Sequence, residues 1–179
     1  EITLESELAE LRPLRREDAE ALVAAASDGR LWELWFTQVP DAQGVAEYID
    51  YALSEQAAGR ALPFVVVERE SGEVVGTTRL CNADSAHRRL EIGYTWYAER
   101  CQRSALNTQC KLALLQHAFD QLECIAVELR THWHNHRSRA AIARLGAKQD
   151  GVVIVVKYVR DVHWAPAVGV VANELLLFL

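Results

Sequence analysis

Residues 90–122 constrain the fold of this chain more than any other segment. Residues 90–96 alternate large apolar side chains with Glu, Gly and Thr, which is typical of a β-strand. After a polar loop, apolar residues recur at helical spacing, at Leu112, Leu115, Phe119 and Leu122. The sequence therefore predicts a strand that leads through a short loop into a long amphipathic helix, with Asn107 available as the N-cap.

The rest of the chain alternates between helix and strand patterns. Apolar spacing predicts helices at residues 16–26, 41–59 and 137–145. Gly59 and Gly146 follow two of these helices as expected C-terminal stops. Strands are predicted at residues 3–14, 64–67, 74–80, 125–129, 152–159 and 168–179. This order predicts one α+β domain over residues 1–179, built on a single mixed sheet.

Composition narrows the class of protein. The 179 residues carry a formal net charge of -6, which argues against nucleic acid as a partner. The first residues lack the basic end and apolar block of a signal peptide, and no apolar stretch is long enough to cross a membrane. The four cysteines form no CxxC pair and are expected to be reduced thiols. We therefore expect a cytoplasmic protein that binds neither nucleic acid nor membrane.

The junction between the predicted strand and helix has the features of an anion site. A helix N-terminus presents unpaired backbone N–H groups and the positive end of the helix dipole. Arg103 adds a full positive charge there. Further donors for phosphate oxygens stand beside it, at Gln102, Ser104, Asn107 and Thr108. The same residues also suit an ordinary capped helix start, so both interpretations stay open on this junction alone.

Two segments resemble motifs of the GNAT acetyltransferase superfamily. Residues 102–107, QRSALN, resemble its acyl-CoA loop, Q/R-x-x-G-x-G/A, with Ala105 in place of the usual glycine and Asn107 in place of glycine or alanine. Residues 135–147, NHRSRAAIARLGA, resemble the NxxS…LGF segment of the superfamily's fourth helix. The two motifs occur in the expected order among the predicted elements.

The upstream half resembles one branch of this superfamily, the ribosomal-protein alanine N-acetyltransferases. Residues 11–18, LRPLRRED, and residues 91–94, EIGY, carry this likeness, which covers about residues 8–151 in all. The resemblance implies a mixed, mostly antiparallel central sheet flanked by helices on both faces. It also implies acetyl transfer from acetyl-CoA, as cosubstrate and without a metal, to a primary amine that attacks the thioester directly through a tetrahedral oxyanion.

The resemblance further implies which residues do this work. Acetyl-CoA would be held by Trp96, Tyr97, Gln102, Arg103, Ser104, Ala105, Asn107, Thr108, Asn135 and Arg137. A backbone N–H of residues 96–97 would bind the oxyanion, where the strand parts from its neighbour. Glu91 is the expected base, or the partner of the substrate ammonium, and Ser138 is the hydroxyl expected to protonate the leaving thiolate.

The acceptor is expected to be a peptide or protein N-terminus or a small-molecule amine, and a homodimer is left open. Trp32, Trp35 and Phe36 would line its pocket, since aromatic rings give rigid apolar walls and can face a cation. Each of these residues also has a purely structural interpretation. Glu91 could be a solvated strand residue, Asn135 and Ser138 could only form the first turn of their helix, and the aromatic residues could belong to the core.

Two other classes of function stay open at this point. The missing loop glycines, and a fourth helix without a tyrosine, allow a catalytically silent acyl-CoA-binding or regulatory module. His132, His134 and His136 alternate along an extended segment, as three metal ligands would, although the segment contains no carboxylate or thiolate. A metal protein is therefore the third hypothesis.

Overall fold

One β-sheet contains every strand of the described chain. The structure is a computed structural model that describes the backbone of residues 2–155 and 170–178 and the side chains of residues 2–149. The strands are β1 (Leu4–Glu5), β2 (Ala9–Pro13), β3 (Ala61–Glu68), β4 (Val74–Asp84), β5 (Arg89–Tyr97), β6 (Ala126–His132), β7 (Lys148–Val155) and β8 (Val170–Phe178). Their order is β1-β2-β3-β4-β5-β6-β8-β7, and every neighbouring pair is antiparallel except β5 and β6. The predicted α+β fold is confirmed.

Helices pack on both faces of this sheet, as expected. They are α1 (Ala19–Ser27), α2 (Val45–Ala57), α3 (Leu106–Gln116), which a π-helical turn extends, and α4 (His136–Arg144). Arg79 of β4 lies against Tyr48 of α2, whereas its neighbour Thr78 reaches Lys111 of α3 through Thr95. Because successive strand residues point to opposite faces, α2 and α3 lie on opposite sides. None of the helices described here has the length and apolar character that crossing a membrane requires.

The structure contains the predicted helices and strands, except that one predicted strand is divided into two. The strand expected at residues 3–14 is wrong, because β1 and β2 form a hairpin whose turn is closed by Ser6 N donating to Ala9 O at 2.9 Å. The turn residues Ser6, Glu7 and Leu8 include no glycine, proline or asparagine, so the sequence lacks the usual signal of a tight turn. Gly59 and Gly146 have left-handed φ values of 71° and 87°, as predicted for C-terminal stops. Residues 156–159, 168–169 and 179 of the predicted final strands lie outside the described residues.

Two predictions about α3 are wrong. The helix begins at Leu106 with Ala105 as its N-cap, so Asn107 lies inside the first turn, and Ser104 Oγ accepts the hydrogen bond from Leu106 N at 3.2 Å. The apolar stripe is also offset, because Leu112 and Leu122 are exposed. The buried positions are Leu106, Cys110, Lys111, Ala113, Leu114 and Ala118. The face of α3 that packs on the sheet therefore follows these positions and not the spacing of Leu112, Leu115, Phe119 and Leu122.

Strands β5 and β6 part after a short parallel contact. They pair only at Arg89 with Ala126, Leu90 with Val127 and Glu91 with Glu128. Beyond this point β5 stays paired with β4, and its other edge has no strand partner among the described residues. A bulge at Tyr94, whose φ of 52° is left-handed, shifts the register with β4. A gap therefore opens between β5 and β6 and widens toward Tyr97.

The observed face of α3 predicts a contrast between two neighbouring leucines. Leu114→Ala removes a side chain that is 0% exposed and should lower the free energy of unfolding by about 2–5 kcal/mol. Leu112→Ala truncates a side chain that is 50% exposed and should change it by less than about 0.5 kcal/mol. Urea unfolding followed by circular dichroism measures both, and equal losses would show that this face of α3 is assigned incorrectly.

Candidate active site

The loop between β5 and α3 gathers unpaired backbone N–H groups at the open end of the gap. Its amides at Gln102 and Leu106 are bonded within the loop, to Glu99 O and Ser104 Oγ. Within the described chain, no partner is found for the N–H groups of Arg103, Ser104, Ala105, Asn107 and Thr108. Free N–H groups at the head of an 11-residue helix act together with its dipole to attract an anion. The folded chain thus keeps the donors that the junction predicts.

The backbone of Arg103 and Ala105 shows how this loop forms without glycine. Ala105 has φ -71° and ψ -15°, a right-handed conformation that alanine adopts freely. The replacement of glycine at this position therefore imposes no backbone strain. Arg103 instead takes the left-handed φ of 59°, at a cost of about 1 kcal/mol, and its side chain is exposed at the loop surface. The charge predicted for this site is accessible.

Hydrogen bonds join this loop to both β5 and α4. Gln102 Nε2 donates to Tyr97 O at 3.0 Å, and Arg137 Nη1 donates to Gln102 Oε1 at 3.1 Å. At the start of α4, Asn135 Oδ1 accepts from Ser138 N at 3.1 Å, so Asn135 is the N-cap of this helix. The structure therefore brings together the two motif segments, although Gln102 and Arg137 are 35 residues apart in the chain.

Glu91 lies at the last paired position of β5 and β6, where the gap closes. It stands opposite Glu128, and both residues are buried. Its Oε2 accepts from Asn82 Nδ2 at 2.8 Å and is 3.4 Å from Arg130 Nε. Arg130 Nη2 also pairs with Glu128 Oε2 at 2.9 Å. The expected base is thus a buried carboxylate inside a charged cluster.

The three predicted acceptor aromatics occupy two different places. Trp32 lines an open pocket of about 440 Å³ together with residues of α2. Trp35 and Phe36 lie against the imidazole of His132, with ring centroids 4.9 Å and 6.2 Å away. Trp96, expected at the cosubstrate, is buried, and its indole Nε1 donates to Tyr48 OH at 3.4 Å. The backbone carbonyl of Trp96 faces β4, where a Cβ on Gly76 would lie 2.1 Å from its oxygen.

The histidines of the β6–α4 loop are arranged as a stack. The rings of His132 and His134 are 5.5 Å apart, and His134 N donates to His132 Nδ1 at 3.2 Å. His136 is the first residue of α4. Among residues 2–155 and 170–178, no group of three or more His, Cys, Asp or Glu could hold a metal ion.

Sequence reasoning does not single out Lys111, which the structure places under the bulge of β5. Its Nζ donates to Thr95 Oγ1 at 2.7 Å, and Thr95 Oγ1 shares a second 2.7 Å hydrogen bond with Thr78 Oγ1. Burial lowers the pKa of Lys111 to about 8. This ammonium ties α3 to the strand beside the gap. The sequence does not reveal this role until the buried face of α3 is known, because a single lysine in a helix is usually exposed to solvent.

Arg79 is a second residue that sequence reasoning does not single out. It is buried in β4 beneath tyrosine rings of α2. A visible signal exists here, since the run VVGTTRLC places one arginine inside an otherwise apolar and threonine-rich strand. A charge at the centre of a buried strand requires a specific reason.

The chain belongs to the GNAT acetyltransferase family. The family model for the acetyltransferase (GNAT) domain matches residues 9–148, which include every element from β2 to α4. The parted strands, the donor-rich loop and the capped α4 all lie inside the matched range. The predicted resemblance to this superfamily is confirmed.

Individual relatives point to the same family. The chain is 32% identical over 92 residues to YdaF of Bacillus subtilis (strain 168), whose name describes a candidate ribosomal N-acetyltransferase. The alignment covers 51% of this chain and 50% of YdaF, so the chain matches about half the length of this curated relative.

Two solved structures share the fold over nearly the whole chain. A candidate ribosomal-protein-serine acetyltransferase of Vibrio cholerae has a TM-score of 0.82 and 20% identity, with 99% of this chain and 98% of that chain covered. RimJ of Mycobacterium smegmatis, in complex with CoA-disulfide, has a TM-score of 0.75 and 23% identity, with 99% and 86% covered. At such identities the likeness establishes the fold.

The buried ammonium of Lys111 predicts a pH-dependent stability. Its folded pKa of about 8 lies below its ordinary value of 10.5, so the unfolded chain binds more protons between these two values. The contribution of Lys111 to stability is therefore complete above pH 10.5 and is lost as the pH falls through 8. The stability of the wild type relative to Lys111→Met should rise by on the order of 3 kcal/mol across this window.

Urea unfolding of both proteins at several pH values measures this difference, and subtraction cancels the titration of buried thiols and phenols. Lys148→Met is the matched control, because Lys148 is exposed. A difference for Lys111→Met that is flat with pH would show that its ammonium is solvated.

Proposed function

We propose that this chain is an acetyl-CoA-dependent N-acetyltransferase whose acceptor is a primary amine, on a peptide or protein N-terminus or on a small molecule. The gap between β5 and β6, with the donor-rich loop at its open end, is the observation that carries this proposal. Family membership supports the reaction, and the names of YdaF and the Vibrio cholerae protein support a protein N-terminus. The single domain over residues 1–179, the cytoplasmic location and the homodimer stay predictions.

The loop has the chemistry to hold the diphosphate of a coenzyme A thioester. Its unpaired N–H groups, the positive end of α3 and the exposed guanidinium of Arg103 converge on one turn. The side chains of Gln102, Asn107 and Thr108 can add donors. The predicted hydroxyl donor of Ser104 is instead engaged, because its Oγ donates to Cys101 O at 2.6 Å. Arg137 and Asn135 of the α4 end would border the pantetheine, because Gln102 already joins that end to the loop.

The parted strands would hold the reacting end of the cosubstrate, which supplies an acyl group activated as a thioester. The free edge of β5 at residues 96–97 would offer one backbone N–H for the carbonyl oxygen, that of Tyr97, because the backbone of Trp96 faces β4. Glu91, at the closed end of the gap, would accept the amine proton through water or pair with the ammonium. Ser138, in the first turn of α4, is the hydroxyl that we assign to the leaving sulfur.

The silent-module hypothesis loses one of its two motives in this geometry. It rests on the missing loop glycines and on a fourth helix without tyrosine, and Ala105 adopts a conformation that needs no glycine. The loop therefore has the backbone shape and the free amides for cosubstrate binding. Trp32, Trp35 and Phe36 border the acceptor side in this proposal, with Trp32 in the pocket beside α2.

Arg103→Glu tests the proposed diphosphate site. Reversal of this charge should weaken coenzyme A binding by about 10- to 100-fold, the range for hydrogen bonds to a charged group. Isothermal titration calorimetry measures the affinity. Arg30→Glu is the matched control, because Arg30 is also exposed and also has a left-handed φ, of 47°, but lies in a different loop. Equal affinities of the two variants would place the diphosphate elsewhere.

Glu91→Gln tests the assignment of the base. The loss of a positioned general base should lower kcat by about 10²- to 10⁴-fold, measured as thiol release from acetyl-CoA with a panel of amines. A partner of the substrate ammonium would instead raise KM with little change in kcat. Glu128→Gln is the control, since Glu128 stands opposite Glu91 in register and also pairs with Arg130. Unchanged kcat and KM in Glu91→Gln would remove this residue from the mechanism.

A further inference from the structure

Arg79 occupies a chamber of tyrosine rings on the α2 face of the sheet. It is 1% exposed, although arginine is rarely buried so completely without a charged partner. Its guanidinium carbon is 4.8 Å from the ring centroid of Tyr48, 5.6 Å from that of Tyr51 and 4.1 Å from that of Tyr94. The three rings supply π-faces that partly offset the cost of burying the charge.

Two nitrogens of this guanidinium have unused hydrogen-bonding capacity. Nε and Nη2 of Arg79 are buried and have no hydrogen-bond partner in the described part of the chain. These two atoms form one edge of the guanidinium and project parallel N–H bonds, which match the two oxygens of a carboxylate. The same edge is used elsewhere in this protein, where Arg60 donates from Nε and Nη2 to the two carboxylate oxygens of Glu55 at 3.0 Å and 2.6 Å.

The charge balance also indicates a missing anion. Among the described residues, Arg79 forms no ion pair, and Glu55 is engaged with Arg60. Burial of an unpaired cation with two unsatisfied donors costs far more free energy than its contacts with aromatic rings recover. One guanidinium surrounded by neutral phenols matches one negative charge, as a carboxylate provides.

The chamber lies next to the proposed reaction centre, and partly exposed tyrosine rings separate it from solvent. Arg79 is opposite Gly93 of β5, one residue before the bulge at Tyr94. Tyr51 and Tyr94 cover the guanidinium with rings 6.4 Å apart and are themselves 48% and 37% exposed. Side-chain rotation of exposed rings is rapid. Tyr51 also lines the pocket that contains Trp32.

We propose that Arg79 binds a carboxylate of the acceptor, so that the preferred acceptors are amines that also carry an acidic group. The inference rests on the proposed acetyl transfer and adds the substrate class to it. Tyr48, Tyr51 and Tyr94 form the walls of this subsite. The paired Nε and Nη2 donors of Arg79, called the fork below, supply its specificity for a carboxylate. The carboxylate belongs either to a small amino acid or to an acidic residue close to a peptide N-terminus.

The test compares matched acceptors that differ only in this charge. Amino acids of increasing chain length between amine and carboxylate are paired with their carboxamides, and peptides with an early Asp or Glu are paired with their Asn or Gln forms. The acid should have a kcat/KM at least about 10-fold above that of its amide, because a charged partner strengthens both hydrogen bonds. The better of the two series identifies the source of the carboxylate.

Variants of Arg79 assign the effect to the fork. Arg79→Lys keeps the charge but loses the paired donors, and Arg79→Gln loses both, so the acid-to-amide ratio should fall stepwise toward one. Arg69→Gln, which removes an exposed arginine paired with Glu5, should leave the ratio unchanged. The ratio is measured on each protein itself, so partial loss of stability in an Arg79 variant does not change its meaning.

Several outcomes would overturn the inference. A wild-type ratio near one does so without any variant, and so does a preference for a phosphorylated amine over the matching acid. A fall in the unfolding temperature of Arg79→Gln together with an intact ratio would show that Arg79 is a structural arginine.

Failure of the proposed acetyl transfer gives a different signature. In that case no amine releases thiol from acetyl-CoA. Carboxylic acids that lack the amine still quench the tryptophan and tyrosine fluorescence of the wild type saturably if the subsite exists, and do so less in Arg79→Gln. Absence of this saturable quenching in the wild type would refute the subsite independently of catalysis.

Discussion

The early end of the pairing between β5 and β6 is the constraint on which the rest of the site depends. After Glu91 and Glu128 the two strands have no further register pairs, so one edge of β5 faces an open gap inside the sheet. The bulge at Tyr94 bends β5, and Gly76 of β4 lets the strands approach closely behind it, since a Cβ there would lie 2.1 Å from Trp96 O. The loop that enters α3 therefore stands at the open end of the gap.

Two buried cations hold the bulge from opposite faces of the sheet. Tyr94 contacts the guanidinium of Arg79 on the α2 face, and Thr95 accepts a hydrogen bond from the ammonium of Lys111 on the α3 face. Both cations lie among neutral groups, and burial lowers the pKa of Lys111. For Tyr94, burial and then the hydrogen bond to Tyr51 raise the pKa of the phenol, so the ring stays neutral beside the cation. The shape of β5 is thus coupled to the packing of two helices.

Much of the fold could be predicted because local patterns and tertiary packing agree along most of the chain. The left-handed glycines, the hairpin of β3 and β4 and the strand-to-helix junction follow from short-range rules. The errors occur where packing decides between equal local choices. Leu112 and Leu114 have the same propensity, and only the close approach of α3 to the sheet buries Leu114. Asn107 suits a cap, but Ala105 occupies that position.

The sequence by itself determined the order of the elements, the polar loop at residues 102–108 and the capped start of α4, because backbone propensity and hydrogen-bond capacity act within a few residues. Only the tertiary structure decided that Gln102 meets Arg137, that Trp32 separates from Trp35 and Phe36, and that Arg79 lies under three tyrosines. These contacts join residues distant in the chain. Their geometry depends on where a strand bends and on which helix face is buried. The local sequence pattern does not determine either of these.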